Sequence, residues 1–286
     1  FKECAAICLQ NFRKWTTDYK IWITAIILCI LVHSYWSDIS IINQSLGMKS
    51  SPWIFPFLYS QFYMKLLFTL PLILIFCNAP FIDSNQIFVI MRSGHRKWII
   101  SQILYIIFAS AIYYIFIFAL SILIGLPYSD WQLEWGKVIN TISVTNAAQN
   151  NGVFFVEMSP VVTRFFDPIQ ACWFTFLLSW LCGIFLGLII FLLNLITNTK
   201  FAGITVSASF TVFSFMVANG DLGFLLKYSP VSWNTLNNLD VGKITPNPSF
   251  VYCLLVYLMS AFVLISVIFL AGKKSTIDIA QQWCGG

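Results

Sequence analysis

The chain has 286 residues, 59% of them hydrophobic and only 9% charged, with a mean hydropathy of +0.81 and a formal net charge of +5. Its 16 basic and 11 acidic residues are too few to clothe a water-soluble surface, which excludes a soluble fold and makes lipid the solvent. A bilayer core about 30 Å thick takes ~20 apolar residues per crossing, so six crossings fit with loops to spare.

In chain order, the apolar runs bounded by charge, Pro and Gly predict spans at about 21–37, 57–77, 98–126, 168–197, 201–220 and 249–271. The first is the shortest and carries His33 near one end. The opening residues lack the charged start and cleavage site of a signal peptide, so this span is expected to stay as an anchor. Pro71, Gly183, Gly187 and Gly203 fall inside runs, where membrane helices tolerate them better than soluble ones. The eight cysteines form no C-x-x-C pair and mostly sit in apolar runs as small hydrophobes. Neither a zinc site nor a disulfide framework is expected, and Cys172 and Cys253 are the only pair placed near one outer face.

Orientation follows from the basic residues, because cytoplasmic flanks accumulate Lys and Arg. With the N-terminus inside, ten basic residues (Lys2, Arg13, Lys14, Lys20, Arg92, Arg96, Lys97, Lys200, Lys273 and Lys274) and four acidic ones are cytoplasmic, against six and seven elsewhere. Both ends are therefore expected inside. The positive charge reads as a topology signal toward anionic lipid headgroups, with no nucleic acid partner.

Two outer loops, 127–167 and 221–248, are too long for simple turns and are expected to hold structure. In the first, Trp131 and Trp135 are placed at headgroup level. In the second, Phe224, Leu225, Leu226, Val231 and Trp233 put too much apolar surface in one stretch to stay in water, and Gly220, Gly223 and Pro230 supply breaks. The segment Asp221–Trp233 is expected to pack inward as part of an exit gate, with Phe224 and Trp233 as gate residues. The alternative is a helix resting on the outer leaflet.

Catalysis needs convergent ionisable groups, and these are scarce. His33 and His95 are the only histidines and fall on opposite membrane sides in this topology. No H-E-x-x-H, G-x-S-x-G or G-x-x-x-x-G-K-[ST] occurs, so no catalytic residue, metal site or cofactor site is assigned and the chain is expected neither to bind nor to hydrolyse ATP. No carboxylate lies within a span, which leaves an ion-coupled carrier without its usual groups. Lys65 lies more than a turn inside the second span, where it either snorkels to the headgroups or faces a pathway.

Between spans two and three, segment 82–97 is predicted to form a short helix: Asp83 or Ser84 caps it, Ile87, Phe88, Ile90 and Met91 give it an apolar side, and Gly94 ends it. A basic knuckle of Arg92, Arg96 and Lys97 follows. Taken alone, this describes a helix on the lipid surface.

The run Asp83…Ile90-Met91-Arg92-Ser93-Gly94-His95-Arg96-Lys97-Trp98, leading straight into a span, resembles the first cytoplasmic loop of ABC-2 type permeases, the membrane subunits of ATP-binding-cassette exporters. The order of parts is similar along nearly the whole chain. The resemblance implies one all-α polytopic permease domain over residues 1–286. It would have an amphipathic N-terminal segment at about 1–19, six transmembrane helices with N-in/C-in topology, and a structured outer loop containing Tyr228-Ser-Pro-Val-Ser-Trp233. It implies ATPase coupling through Ile87, Phe88, Met91, Arg92, Arg96 and Lys97, and a pathway or gate at Lys65, Phe224 and Trp233. Two separate ATPase subunits would carry ATP and Mg, a second permease chain, identical or homologous, would complete the pathway, and the setting would be a bacterial plasma membrane. Loop 127–167 departs from the resemblance, which implies a short connection there. A hydrophobic or amphipathic cargo, such as an antimicrobial peptide or drug, suits the Phe-rich and Ile-rich composition, with lipid-linked polysaccharide as the competing cargo. The alternative function is a stand-alone secondary carrier, or a membrane sensor whose outer loop binds a ligand.

Overall fold

A computed structural model describes residues 2–79, 86–145, 147–219, 222–242 and 245–284, side chains excepted at 86–88, 219 and 273–284; among these residues there are helices and no strand. The helices are α1 (Lys2–Arg13), α2 (Tyr19–Leu46), α3 (Phe62–Phe76), α4 (Gln86–Ser93), α5 (His95–Gly125), α6 (Gly136–Val144), α7 (Ala147–Asn150), α8 (Pro160–Phe165), α9 (Pro168–Thr197), α10 (Phe201–Asn219) and α11 (Phe250–Cys284). Five of them, α2, α5, α9, α10 and α11, are long and apolar enough to cross a membrane. Their outward faces expose large apolar side chains such as Ile26, Ile30, Phe108, Ile115 and Phe262, which suits lipid and not water. The chain is an all-α membrane protein.

Local sequence sets the helix ends. Asp18 caps α2, its carboxylate accepting from the Lys20 amide at 3.0 Å, and Gly47 closes the helix at φ +63°. Between α2 and α3 the chain is not helical, apart from a tight turn at Phe55–Phe57, yet Ser50, Ser51, Ile54, Phe55, Phe57, Leu58 and Tyr59 are all buried. Irregular backbone is tolerated at membrane depth only when protein surrounds it. Because of this segment, α3 starts at Phe62, later than the expected run at 57, and its 15 residues reach only about 22 Å at 1.5 Å per residue. Gln61 begins α3 by accepting from the Tyr63 amide at 2.8 Å.

Helix α9 is the most buried of the five and forms the axis of the molecule, packing on α5, α10 and α11. Gly183 and Gly187, one turn apart, allow this close approach: a Cβ at Gly183 would meet Ser110 Cβ at 2.9 Å, and one at Gly187 would meet Ile106 Cγ2 at 2.6 Å. At the far end, Asn198 (φ +54°) turns the chain into α10. There Asn194 acts as a polar tie, its Oδ1 accepting from the Gly203 amide at 2.9 Å and its Nδ2 donating to the Ala79 carbonyl at 2.7 Å.

Both long loops are structured. Loop 127–167 carries α6, α7 and α8 and is pinned by indole donors: Trp135 to the Phe166 carbonyl at 2.8 Å, and Trp53 to the Gln132 carbonyl at 2.7 Å. Trp131 is exposed, whereas Trp135 is buried in protein at 6% exposure. Residues 222–239 form three tight 3₁₀ turns that pack on α9, α10 and α11. Positions Gly220 and Asp221, where that stretch was expected to begin, lie outside the described residues. The seven described cysteines, including Cys172 and Cys253, are free thiols.

Candidate functional site

The sequence-predicted site residues fall at two ends of the molecule. At one end, α1, α4 and the first turns of α5 make a platform. Helix α1 buries Cys4, Ile7, Cys8 and Asn11, the i, i+3, i+4, i+7 face of an amphipathic helix, largely against α5. Three polar ties hold it there. Asn11 Nδ2 donates to Gln102 Oε1 at 2.7 Å, Trp15 Nε1 donates to the Tyr105 hydroxyl at 2.8 Å, and Lys97 Nζ meets Glu3 Oε2 at 2.6 Å. The Lys97 ammonium holds the Glu3 carboxyl below the usual carboxylate range, through its hydrogen bond first and its charge second, while burial pushes the Cys8 thiol up.

Helix α4 runs from Gln86 and ends at Gly94, whose φ of +84° and ψ of +148° are open only to glycine and whose amide donates to the Ile90 carbonyl at 2.8 Å. That joint turns α4 into α5 through a single residue. Met91 is 78% exposed, Arg92, Arg96 and Lys97 are exposed beside it, and Ile90 packs inward. The expected cap residues Asp83 and Ser84, and the side chains of Ile87 and Phe88, lie outside the described residues. A cavity of about 380 Å³ separates α4 from α1, lined by Glu3, Ala6, Ile7 and Gln10 on one wall and Val89, Arg92 and Ser93 on the other. The α1 wall is what sequence reasoning missed. Amphipathic periodicity marks α1 as a surface helix, but nothing local tells that it lies alongside α4.

At the opposite end, Lys65 does not snorkel to the headgroups. Its side chain is 3% exposed, turned into the protein, and Glu157 of loop 127–167 is the carboxylate whose charge acts on it. Trp233 is 1% exposed; its indole donates to the Leu226 carbonyl at 2.7 Å and its ring packs edge-on to Tyr252 and Tyr257. The Tyr257 hydroxyl donates to the Pro230 carbonyl at 2.6 Å, and Ser232 joins Ser214 at 2.8 Å and Ser229 at 2.7 Å. Phe224 is 71% exposed and therefore stands apart from Trp233, because the first tight turn leaves its side chain outside the packed part of the loop. His33 is exposed on α2 beside Ser34, Ser37 and Asp38, far along the fold from His95 at the start of α5.

Trp233→Ala is expected to lower stability by about 3–5 kcal/mol, the cost of emptying a filled aromatic site, with Phe224→Ala within about 0.5 kcal/mol of the parent. Thermal unfolding of the two purified proteins in detergent checks this. Equal effects would mean that the turn does not hold this end of the molecule together.

No family model matches the chain, and no curated protein and no solved structure matches it.

Proposed function

We propose that the chain is the permease subunit of an ATP-driven exporter in a bacterial plasma membrane, with no enzymatic activity of its own. In this reading it crosses the membrane six times with both ends in the cytoplasm, and α3 together with the buried 50–59 segment makes the short second crossing. A second permease chain, identical or homologous, completes the pathway, and separate ATPase subunits bind ATP and Mg and dock on the platform. The cargo is hydrophobic or amphipathic, an antimicrobial peptide or a drug.

The observation that carries the reading is the platform. Helix α4 offers an exposed methionine among cations, is joined to α5 through one glycine, and shares a groove with an N-terminal helix bolted to that same α5. A helix that only rested on lipid would not need a second helix fixed beside it, whereas a lever that accepts force needs a stiff seat. Arg92, Arg96 and Lys97 frame the seat with positive charge, which steers a partner and fixes its register more than it adds affinity.

A photo-cross-linking residue at Met91 is expected to capture, in native membranes, a polypeptide carrying the Gly-x-x-x-x-Gly-Lys-Ser/Thr phosphate-binding motif, and the same residue at Ile30 on α2 is expected not to. In a cysteine-free background, Lys49→Cys should react with a membrane-impermeant thiol reagent from outside, and Arg96→Cys only after permeabilisation. Lipid adducts alone at Met91, or external labelling at Arg96→Cys, would contradict the reading.

A further inference from the structure

At the end of the molecule away from the platform, a cavity of about 510 Å³ lies between two walls that are distant in sequence. One wall is Gln61 and Tyr63 at the start of α3, and the other is Gln149 of α7 with residues 153–157 of loop 127–167. The loop wall is anchored at both ends: the Val153 amide donates to the Ala148 carbonyl at 2.9 Å, and the Ser159 hydroxyl donates to Asn237 Oδ1 at 2.7 Å. Val153, Val156 and Met158 are buried, which leaves Phe154 at 74% and Phe155 at 41% exposure and Glu157 exposed beside them. On the facing wall the Tyr63 ring rests against Phe62 and Phe215, with centroids 4.1 and 5.5 Å away, and Gln61 Oε1 accepts from the Tyr63 amide at 2.8 Å. The cavity is therefore built from held side chains on both sides.

Its lining combines apolar surface with one charge, the usual make-up of a small-molecule site. Among the described residues, Glu157 is the one charged member of the lining, and its carboxylate makes no hydrogen bond and no ion pair. Solvent reaches Glu157, yet the protein around it desolvates it enough to hold its carboxyl above the usual carboxylate range, against the pull of the Lys65 charge. Such a group faces a partly enclosed space. Lys65 is 3% exposed and is not part of the lining, so its ammonium does not fill that space. A lone carboxylate supplies too few ligands for a calcium-like ion, and no group of three or more metal-ligating side chains occurs among the described residues. Bordered by the rings of Tyr63, Phe154 and Phe155, whose faces attract positive charge, it suits an organic cation.

We infer that this cavity binds an organic cation, an ammonium or guanidinium group on an apolar body, with Glu157 as its counter-ion and Tyr63, Phe154 and Phe155 around the apolar part. The amides of Gln61 and Gln149 serve its remaining polar groups. The same ammonium chemistry is offered by a soluble amine and by the headgroup of phosphatidylethanolamine. The site does not depend on the chain being driven by an ATPase, so its failure would leave the platform reading standing, and the reverse.

The test is thermal unfolding of the purified full chain in detergent at constant ionic strength, titrated with phenethylammonium and with two controls of similar shape, neutral 2-phenylethanol and anionic phenylacetate. A saturable rise of the midpoint with the ammonium, absent with both controls, is expected, because a ligand that binds only the folded state stabilises it. A short-chain phosphatidylethanolamine is titrated in parallel against phosphatidylglycerol of the same chain length. A rise with phenethylammonium identifies a soluble amine, and a rise with phosphatidylethanolamine alone identifies a lipid headgroup. Glu157→Gln should raise the half-saturation of the responding cation at least tenfold. Glu134→Gln removes another exposed carboxylate of the same loop, outside the cavity, and should leave half-saturation unchanged. Both side chains are exposed, so folding is not at stake. The inference is overturned by no rise with either cation, by equal rises with phenethylammonium and 2-phenylethanol, by an unchanged half-saturation in Glu157→Gln, or by an equal shift in Glu134→Gln.

Discussion

Gly203→Val is expected to be the most damaging single substitution in the membrane-embedded part, lowering stability by about 3 kcal/mol or more. A Cβ at Gly203 would sit 2.6 Å from Ile190 Cα, 2.7 Å from the Ile190 carbonyl oxygen and 2.8 Å from Asn194 Oδ1. Two of these atoms are backbone of α9 and cannot rotate away, so α10 must move off. Overpacking of this kind costs about 1–3 kcal/mol in well-packed cores. Here the displacement also breaks the bond from the Gly203 amide to Asn194, leaving buried polar groups unpaired at about another 1–3 kcal/mol. Gly223→Val is the matched control, because a Cβ at Gly223 meets nothing within 4 Å. Detergent-solubilised protein followed by thermal unfolding should separate the two clearly, and equal midpoints would mean that α9 and α10 do not cross as described.

Met91→Asp is expected to abolish ATPase docking while leaving the chain folded. The side chain is 78% exposed, so in the isolated permease the change costs little, within about 0.5 kcal/mol. In the proposed complex it sets a carboxylate in an apolar contact, where an uncompensated buried charge costs about 3–5 kcal/mol. At 1.4 kcal/mol per factor of ten, this weakens association on the order of a hundredfold or more. The signature is a split result: unchanged thermal midpoint and membrane insertion, with loss of the ATPase subunit on purification and loss of cargo resistance. Transport at the parent level would place Met91 against lipid.

Legibility differs between the two ends for a physical reason. The long helices were readable because lipid demands an unbroken apolar run of known length, and Pro168–Thr197 begins and ends where its proline and polar residues say it should. The short second crossing was less readable, because hydropathy does not distinguish the helix from Phe62 onward from the equally apolar but irregular Phe55–Tyr59 before it. Gly183 and Gly187, spaced four apart, are a local sign of close helix packing beyond mere tolerance of glycine in a membrane helix. Lys65 and Trp135 show the opposite limit. Sequence places each near an interface, and only the long-range fold determines that Lys65 is buried within reach of the Glu157 charge and that Trp135 is buried with its indole donating to the Phe166 carbonyl. Phe224 and Trp233 are both large aromatics in one loop, yet tight turns leave one exposed and bury the other.

The most direct test of the proposed function is purification of the unaltered chain from its native membrane in mild detergent, with identification of whatever remains bound and assay of the eluate for ATP hydrolysis. The expected result is a complex containing a separate subunit with the Gly-x-x-x-x-Gly-Lys-Ser/Thr motif, whose hydrolysis is lost when Met91→Asp is purified in parallel. An intact, folded chain that elutes alone without hydrolysis and still confers transport would contradict the account.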